Sequence, residues 1–391
     1  MKKIAMICLC LSLLMPTAGC WSGSDLDEVA MVFGGGLDKT ENGYELSVEI
    51  LQSSGEITAA ESDHEGMVLS MERETLFDAV RSMIRQEKRR LIFTHTNILV
   101  LGESLAVDDL TTPIDVLKRD QMPRLNSLLL ITPDDPKDIL ETATISGDLT
   151  SVEMADSMEG TEFTGEFKPM DLKTVFEMLN SPISATFVPM LQINNENKKT
   201  IAELSGTAVI NEDQMVGTLN VPETKGLLYL RNEAERGSIT AKLTSGDKVS
   251  MEVQDKGVII DPSLNGDQLT VDIEMEIWGT LAEVPSDMIV NDQTIQEMED
   301  ALTEEIRTHM QMTLKKLQKE LKTDILDFGI LVHQKYPQKW PDLTDQWDDI
   351  FANADVNLMI ETSIDHEGLL DQDEGEEKSE SIPFFFWNHK D

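Results

Sequence analysis

Cysteine is nearly absent from this chain. Its 391 residues contain three, Cys8, Cys10 and Cys20. Two of them fall in a segment that reads as a leader, so the chain after residue 19 keeps one thiol at its own start. No internal disulfide can then form, even in a compartment that would permit one. Positive charge is also scarce, with 32 Lys and Arg against 73 Asp and Glu, a formal net charge of -41. A body this acidic repels phosphate backbones and anionic headgroups, which argues against nucleic-acid partners and against attachment through a basic surface. Long apolar runs are missing too. The one candidate, residues 4–14, is apolar except for Ser12 and falls short of the ~20 residues that cross a bilayer. Any hold on a membrane needs another device.

The patterns that carry catalysis are equally thin. None of His64, His95, His309, His333, His366 and His389 pairs at metal-ligand spacing, and His64-Glu65 lacks a second histidine four residues on. There is no Gly-x-Ser-x-Gly elbow and no phosphate loop. Gly34-Gly35-Gly36 is the sole glycine cluster; without dinucleotide spacing it points to a bulge or close strand packing. Carboxylates are too numerous for any pair to be informative. The expectation is no enzyme activity, no metal and no cofactor.

What is present begins at the N-terminus. Lys2 and Lys3 precede the apolar run, and Thr17, Ala18 and Gly19 precede Cys20. A charged start, a short apolar stretch and small residues before a cut make a secretory signal over residues 1–19. A lone cysteine directly after small residues resembles the bacterial lipobox, although Thr17 stands where leucine is usual. Cys20 would carry a diacylglyceryl group and become the first residue, and two acyl chains anchor stably where one is marginal. The alternative is an ordinary signal peptide with an incidental Cys20.

Along the mature chain, residues 29–37 and 44–51 read as a hairpin around Asn42-Gly43. Leu76, Ala79, Val80, Met83 and Ile84 form one stripe of a helix over 75–86. Residues 91–101 read as one apolar strand, Thr112-Pro113 as the start of a helix reaching Asp120, and 125–131 as a buried strand. Asp135-Pro136 opens another helix, 172–179 is a further one, and 185–193 a strand. From about residue 201 the texture turns to strands: 204–211 and 215–220 as a hairpin, then 238–244, 249–254 and 257–261. Residues 269–277 alternate most clearly, as in a sheet with one wet face. Thr294 and Glu297 fit a capping box for a long helix striped by Ile295, Met298, Leu302, Ile306, Met310, Leu314, Leu317 and Leu321. A strand at 355–364 after that helix suggests that it rejoins the sheet. The fold class expected is α+β, a multidomain mixed α/β body with antiparallel sheets and the long C-terminal helix packed on one of them. The divisions expected are a mixed region over 20–195, a β-rich one over 196–290, an α+β one over 291–370, and an acidic, disordered tail over 371–391 carrying an aromatic cluster, Ile382-Pro383-Phe384-Phe385-Phe386-Trp387.

An ordered set of short motifs resembles the Ger(x)C family, the C-subunit lipoproteins of spore germinant receptors. It starts at Gly19-Cys20-Trp21 and is densest at Ala79-Val80-Arg81, Lys88-Arg89-Arg90-Leu91-Ile92-Phe93-x-His95, Gly102-Glu103-x-Leu105-Ala106 and Arg119-Asp120-x-x-Pro123-Arg124. It continues through Ser205-Gly206-Thr207-Ala208-Val209, Val216-Gly217-x-Leu219 and Glu223-Thr224-x-Gly226, then Asp324-Ile325-x-x-Phe328-Gly329, Val332-His333, Pro337-x-x-Trp340 and Trp347. Ser22-Gly23-Ser24 departs from the charged pair usual after Cys-Trp.

The resemblance implies a three-domain, non-enzymatic body, lipid-anchored on the outer face of the spore inner membrane of an endospore former. It further implies assembly with the integral-membrane A and B subunits of a receptor that triggers germination in response to small nutrients. Arg89, Arg90, His95, Arg119, Asp120, Arg124, Asp324, Gly329 and Trp340 are candidates for structural or partner-contact roles. In so acidic a body the arginines are expected to pair internally, with a partner-facing patch as the alternative. Two rival readings are a solute-binding lipoprotein of a transporter and an extracellular hydrolase.

Overall fold

The computed structural model describes residues 28–51, 66–119, 123–195, 200–234, 236–266, 268–286 and 288–365. The leader, Cys20, Asp120 and the acidic tail with its aromatic end lie outside the described residues.

The first sheet holds β1 (Val29–Thr40), β2 (Gly43–Leu51), β3 (Gly66–Arg73), β4 (Arg90–Ile92), β5 (Ile98–Gly102), β6 (Leu128–Thr132), β7 (Ala185–Asn194), β8 (Ile201–Asn211) and β9 (Gln214–Leu219). Their order is β3-β2-β1-β5-β6-β7-β8-β9, with β4 beside β1. The central strands β1, β5, β6 and β7 run parallel, and antiparallel strands extend the sheet on either side. Both faces of the centre are covered. Leu99, Leu101, Leu129 and Ile131 enter the main core. Ile98, Val100 and Leu130 enter a smaller one with Ile139, Leu140, Met154 and Met158, from the helices Pro136–Leu140 and Thr150–Gly160. Burial on both sides is why these strands read as unbroken apolar runs and not as alternations. The glycine cluster lies where β1 carries a bulge between Val32 and Gly34. A Cβ on Gly34 would stand 2.7 Å from Ser151 Cβ, and one on Gly36 2.9 Å from Pro136 Cβ, so the glycines let two helices seat directly on the strand.

The second sheet is β10 (Gly237–Lys242), β11 (Lys248–Asn265), β12 (Gln268–Glu283) and β13 (Asp355–Asp365), in that order. β12 and β13 are parallel, and parallel neighbours need a crossover. The segment between them supplies it with the helix Asp292–Lys315. That helix buries Ile295, Met298, Leu302, Ile306 and Met310, while β12 buries Leu269, Val271, Ile273, Met275 and Ile277, all in one core. The result is a mixed α/β structure with mixed sheets and a long helix packed on a sheet. Among the described residues no helix is long and apolar enough to cross a membrane.

Several local expectations change. The run 91–101 is two strands, because residues 93–97 turn between β4 and β5. The helix Thr111–Arg119 is capped by Asp109, whose Oδ1 accepts from the Thr111 and Thr112 N–H groups at 2.8 and 3.2 Å. Residues 249–261 lie in one strand, kinked by a bulge between Val253 and Asp255. The long helix is capped by Asn291 with Thr294 as the reciprocal partner. Ile84, assigned to a buried stripe, is 37% exposed. The strand-rich stretch from 201 contains a helix, Val221–Leu230, and β8 and β9 hydrogen-bond onward from β7, completing the first sheet.

Candidate functional site

The structure sorts the candidate residues into two places. The first is a buried node after the long helix. Lys322 and Asp327 both adopt left-handed backbone, which folds residues 322–327 into a tight turn ahead of the helix Phe328–Lys335. Asp324 fills the inside of that turn and is 2% exposed. Its Oδ1 accepts from the N–H groups of Leu326 at 3.0 Å and Phe328 at 3.3 Å. Its Oδ2 accepts from the Gly329 N–H at 2.7 Å and the Trp347 indole N–H at 3.0 Å. Burial pushes its carboxyl up to about 6, against the pull of these donors. Gly329 has no room for a side chain, since a Cβ there would collide with Ile183 and stand 2.9 Å from the Trp347 ring. Trp340 packs on Trp347 with ring centres 5.1 Å apart, and His333 stacks on Trp340 at 5.3 Å. Asp324, Gly329 and Trp340 therefore belong to one unit. Its carboxylate is enclosed and committed to four donors, which suits holding three chain segments together rather than reacting with a substrate.

Beside the node lies a residue that sequence reasoning missed. Arg231, just after the helix Val221–Leu230, donates to the Ile325 carbonyl at 2.5 Å and pairs with Glu233 and Asp327 at 3.0 and 2.7 Å. Its guanidinium also lies 5.1 Å from the centre of the Phe187 ring on β7. Burial alone would raise the Glu233 carboxyl; the Arg231 guanidinium and the Lys168 ammonium overcome it and hold the group below its usual range. The signal that points to this helix is in the sequence. Asn220 and Glu223 form a capping box, at 3.0 and 2.9 Å, with Pro222 in the first turn.

The second place is the end of the first sheet where β1 begins. His95 and Arg124 line a cleft of about 520 Å³ with Phe33, Asn97, Asn126 and Glu159, and the His95 ring lies 6.2 Å from that of Phe33. Arg90 is the register partner of Val29. The arginines do not gather into one network. Arg89 pairs with Glu87 two residues before it, and Arg119 with Asp115 at 2.7 Å, one helical turn away. Arg90 and Arg124 are exposed and form no ion pair among the described residues. Cys20 and Asp120 lie outside the description. Among the described residues no group of three or more His, Cys, Asp or Glu is arranged to hold a metal ion.

Comparison with known proteins is consistent along the chain. A family model described as the spore germination protein N-terminal domain matches residues 22–193, and one described as spore germination B3/GerAC like, C-terminal, matches residues 205–368. Spore germination protein KC of Bacillus subtilis (strain 168) is 23% identical over 394 residues, covering 94% of this chain and 97% of that protein. Spore germination protein A3 of the same organism is 26% identical over 372 residues, covering 92% and 96%. The crystal structure of the GerBC protein shares the fold, with a TM-score of 0.58 at 18% identity over 85% of this chain and 96% of that one.

Proposed function

The chain belongs to the GerAC-like family of spore germination proteins, and on that premise we propose that it is held at the spore inner membrane by lipid on Cys20. It is a non-enzymatic subunit of the germinant-receptor family, involved in spore germination. The observation that carries this reading is that two family models account in turn for residues 22–193 and 205–368.

In this proposal residues 1–19 are removed on export and the Cys20 sulfur carries the diacylglyceryl group. The body then stands on the outer face of the inner membrane, beside the integral-membrane A and B subunits. Anchoring turns a three-dimensional search for those subunits into a local one and raises the effective concentration of the body beside them. The receptor so assembled responds to small nutrients. The layout of the chain supports this division of labour: one candidate lipid site, a carboxylate node that is sealed off, and β1 beginning nine residues after the anchor. A Cys20→Ala chain tests it by membrane fractionation, co-purification of the A and B subunits, and nutrient-triggered germination. The protein is expected to leave the membrane fraction, the subunits to stop co-purifying, and germination to slow. A variant that stays in the membrane fraction and supports normal germination would overturn the reading.

A further inference from the structure

We propose that the end of the first sheet where β1 begins rests on anionic lipid headgroups through Lys88, Arg90 and Arg124. This rests on the lipid at Cys20 and adds an orientation to it.

Segments 88–97 and 123–128 together contain four Lys or Arg and not one carboxylate, in a chain that carries 73. The fold brings both segments to the first residues of β1. Arg90 and Ile92 are the register partners of Val29 and Met31. The Asn97 N–H donates to the Phe33 carbonyl at 2.7 Å, and Phe33, His95 and Arg124 line the same cleft. Arg89 is taken up by Glu87. Lys88, Arg90 and Arg124 are exposed and make no ion pair among the described residues. Leu125, next to Arg124, is 51% exposed and gives the same turn an apolar point. Among the described residues Glu159 is the one carboxylate lining the cleft.

Position selects the occupant. Cys20 precedes Glu28 by eight residues, so the acyl chains cannot be more than about 28 Å from the start of the described body. With a formal net charge of -41, the body as a whole is repelled by an anionic membrane, with a range of roughly 10 Å at 0.1 M salt. An anchored body free to tumble therefore settles with its least acidic pole down. Glu28, next to Val29 and exposed, brings one negative charge to the same pole, against the three cations. Each basic residue near an anionic surface is worth about fivefold in binding.

The test uses the mature, lipidated chain in vesicles of phosphatidylcholine with or without phosphatidylglycerol. With Cys8 and Cys10 removed with the leader and Cys20 acylated, an introduced cysteine is the only free thiol. A fluorophore goes on Leu125→Cys or on Asn42→Cys, at the far end of β1 and about 36 Å along the strand. A quencher is carried on the lipid headgroup. Quenching at 125 well above that at 42 is expected in vesicles containing phosphatidylglycerol. High salt should abolish the difference, and Arg90→Glu with Arg124→Glu should cut the positional bias at least about tenfold. Equal quenching at both positions, or the same result without phosphatidylglycerol, overturns the proposal. So does protection of position 125 that requires the A and B subunits, because the occupant is then a protein. The mass of the chain, measured first, separates the two readings. An unacylated Cys20 removes the anchor and this proposal together, whereas an acylated chain without positional bias removes this proposal alone.

Discussion

Replacing Asp324 with alanine strands four buried donors at once: the N–H groups of Leu326, Phe328 and Gly329, and the Trp347 indole. A buried donor left without an acceptor costs ~1–3 kcal/mol. Removing the carboxylate also removes the expense of burying it, and water entering the vacated space recovers part of the rest. The expected net loss is about 3–5 kcal/mol, in the range for breaking a buried charged contact. Equilibrium urea unfolding of residues 21–391, followed by tryptophan emission, reads it. Asp324→Asn supplies a second arm that isolates the charge. Burial pushes the Asp324 carboxyl up to about 6 from an ordinary value of 3.8. The folded state therefore holds the proton more tightly than the unfolded one. The stability this contributes is complete below about pH 4 and is lost as pH rises through 6, by about 3 kcal/mol in all. Relative to Asp324→Asn, which does not titrate, the parent chain should gain stability as pH falls across that window. A deficit in the asparagine variant that grows with rising pH would show that the four donors outweigh burial. An alanine variant that loses less than about 1 kcal/mol would show that the node holds little together.

Gly329→Ala places a methyl group against Ile183 and Trp347 and should cost about 1–3 kcal/mol as overpacking, seen as a lowered urea midpoint with a shifted Trp347 emission. Arg231→Met leaves Glu233 and Asp327 without their buried cation; the expected loss is about 3–5 kcal/mol, with Lys168, which also pairs with Glu233, as the only other cation at hand among the described residues. Asn220→Ala removes one half of a capping box and should cost about 1 kcal/mol, with hydrogen exchange accelerating first at Glu223.

Much of the architecture is legible where a periodicity is decided by one buried face. The stripe from Ile295 to Leu314 and the alternation from Leu269 to Ile277 are both buried as written. Legibility fails where both sides of an element are covered. The helix Val221–Leu230 buries Leu227, Leu228, Tyr229 and Leu230 in succession, because one side faces the first sheet and the other the long helix. With no polar face there is no period to find, and only its cap announces it. The run 91–101 fails for a related reason. β4 and β5 are both apolar, and the turn between them, Thr94-His95-Thr96, lacks glycine and proline. Of the four arginines expected to pair internally, Arg90 and Arg124 have no ion pair among the described residues. Arg89 and Arg119 do pair internally, with Glu87 and Asp115 close by in sequence, whereas the buried cluster at Arg231 depends on a loop nearly a hundred residues later.

The motif residues divide by the reason each has for being what it is. Gly226 lies where the helix Val221–Leu230 crosses the long helix so closely that a Cβ would strike the His309 carbonyl and the Thr313 hydroxyl. The Thr313 hydroxyl donates across the same crossing, 2.6 Å from the Glu223 carbonyl. Gly206 and Gly217 have the same character, against the Leu219 carbonyl and Leu321, and Asp324, Gly329, Trp340 and Trp347 form the buried node. Close approach or burial accounts for each of these, so they speak to the fold and not to what the fold contacts. Arg90 and Arg124 have no such account, being exposed and unpaired among the described residues. Lack of an ion pair does not by itself set them apart, since Arg81, Arg85 and Arg236 are also exposed without one among the described residues. What sets Arg90 and Arg124 apart is their place, in two segments, 88–97 and 123–128, that hold no carboxylate in a chain that carries 73, so a charge outside the molecule is their natural complement.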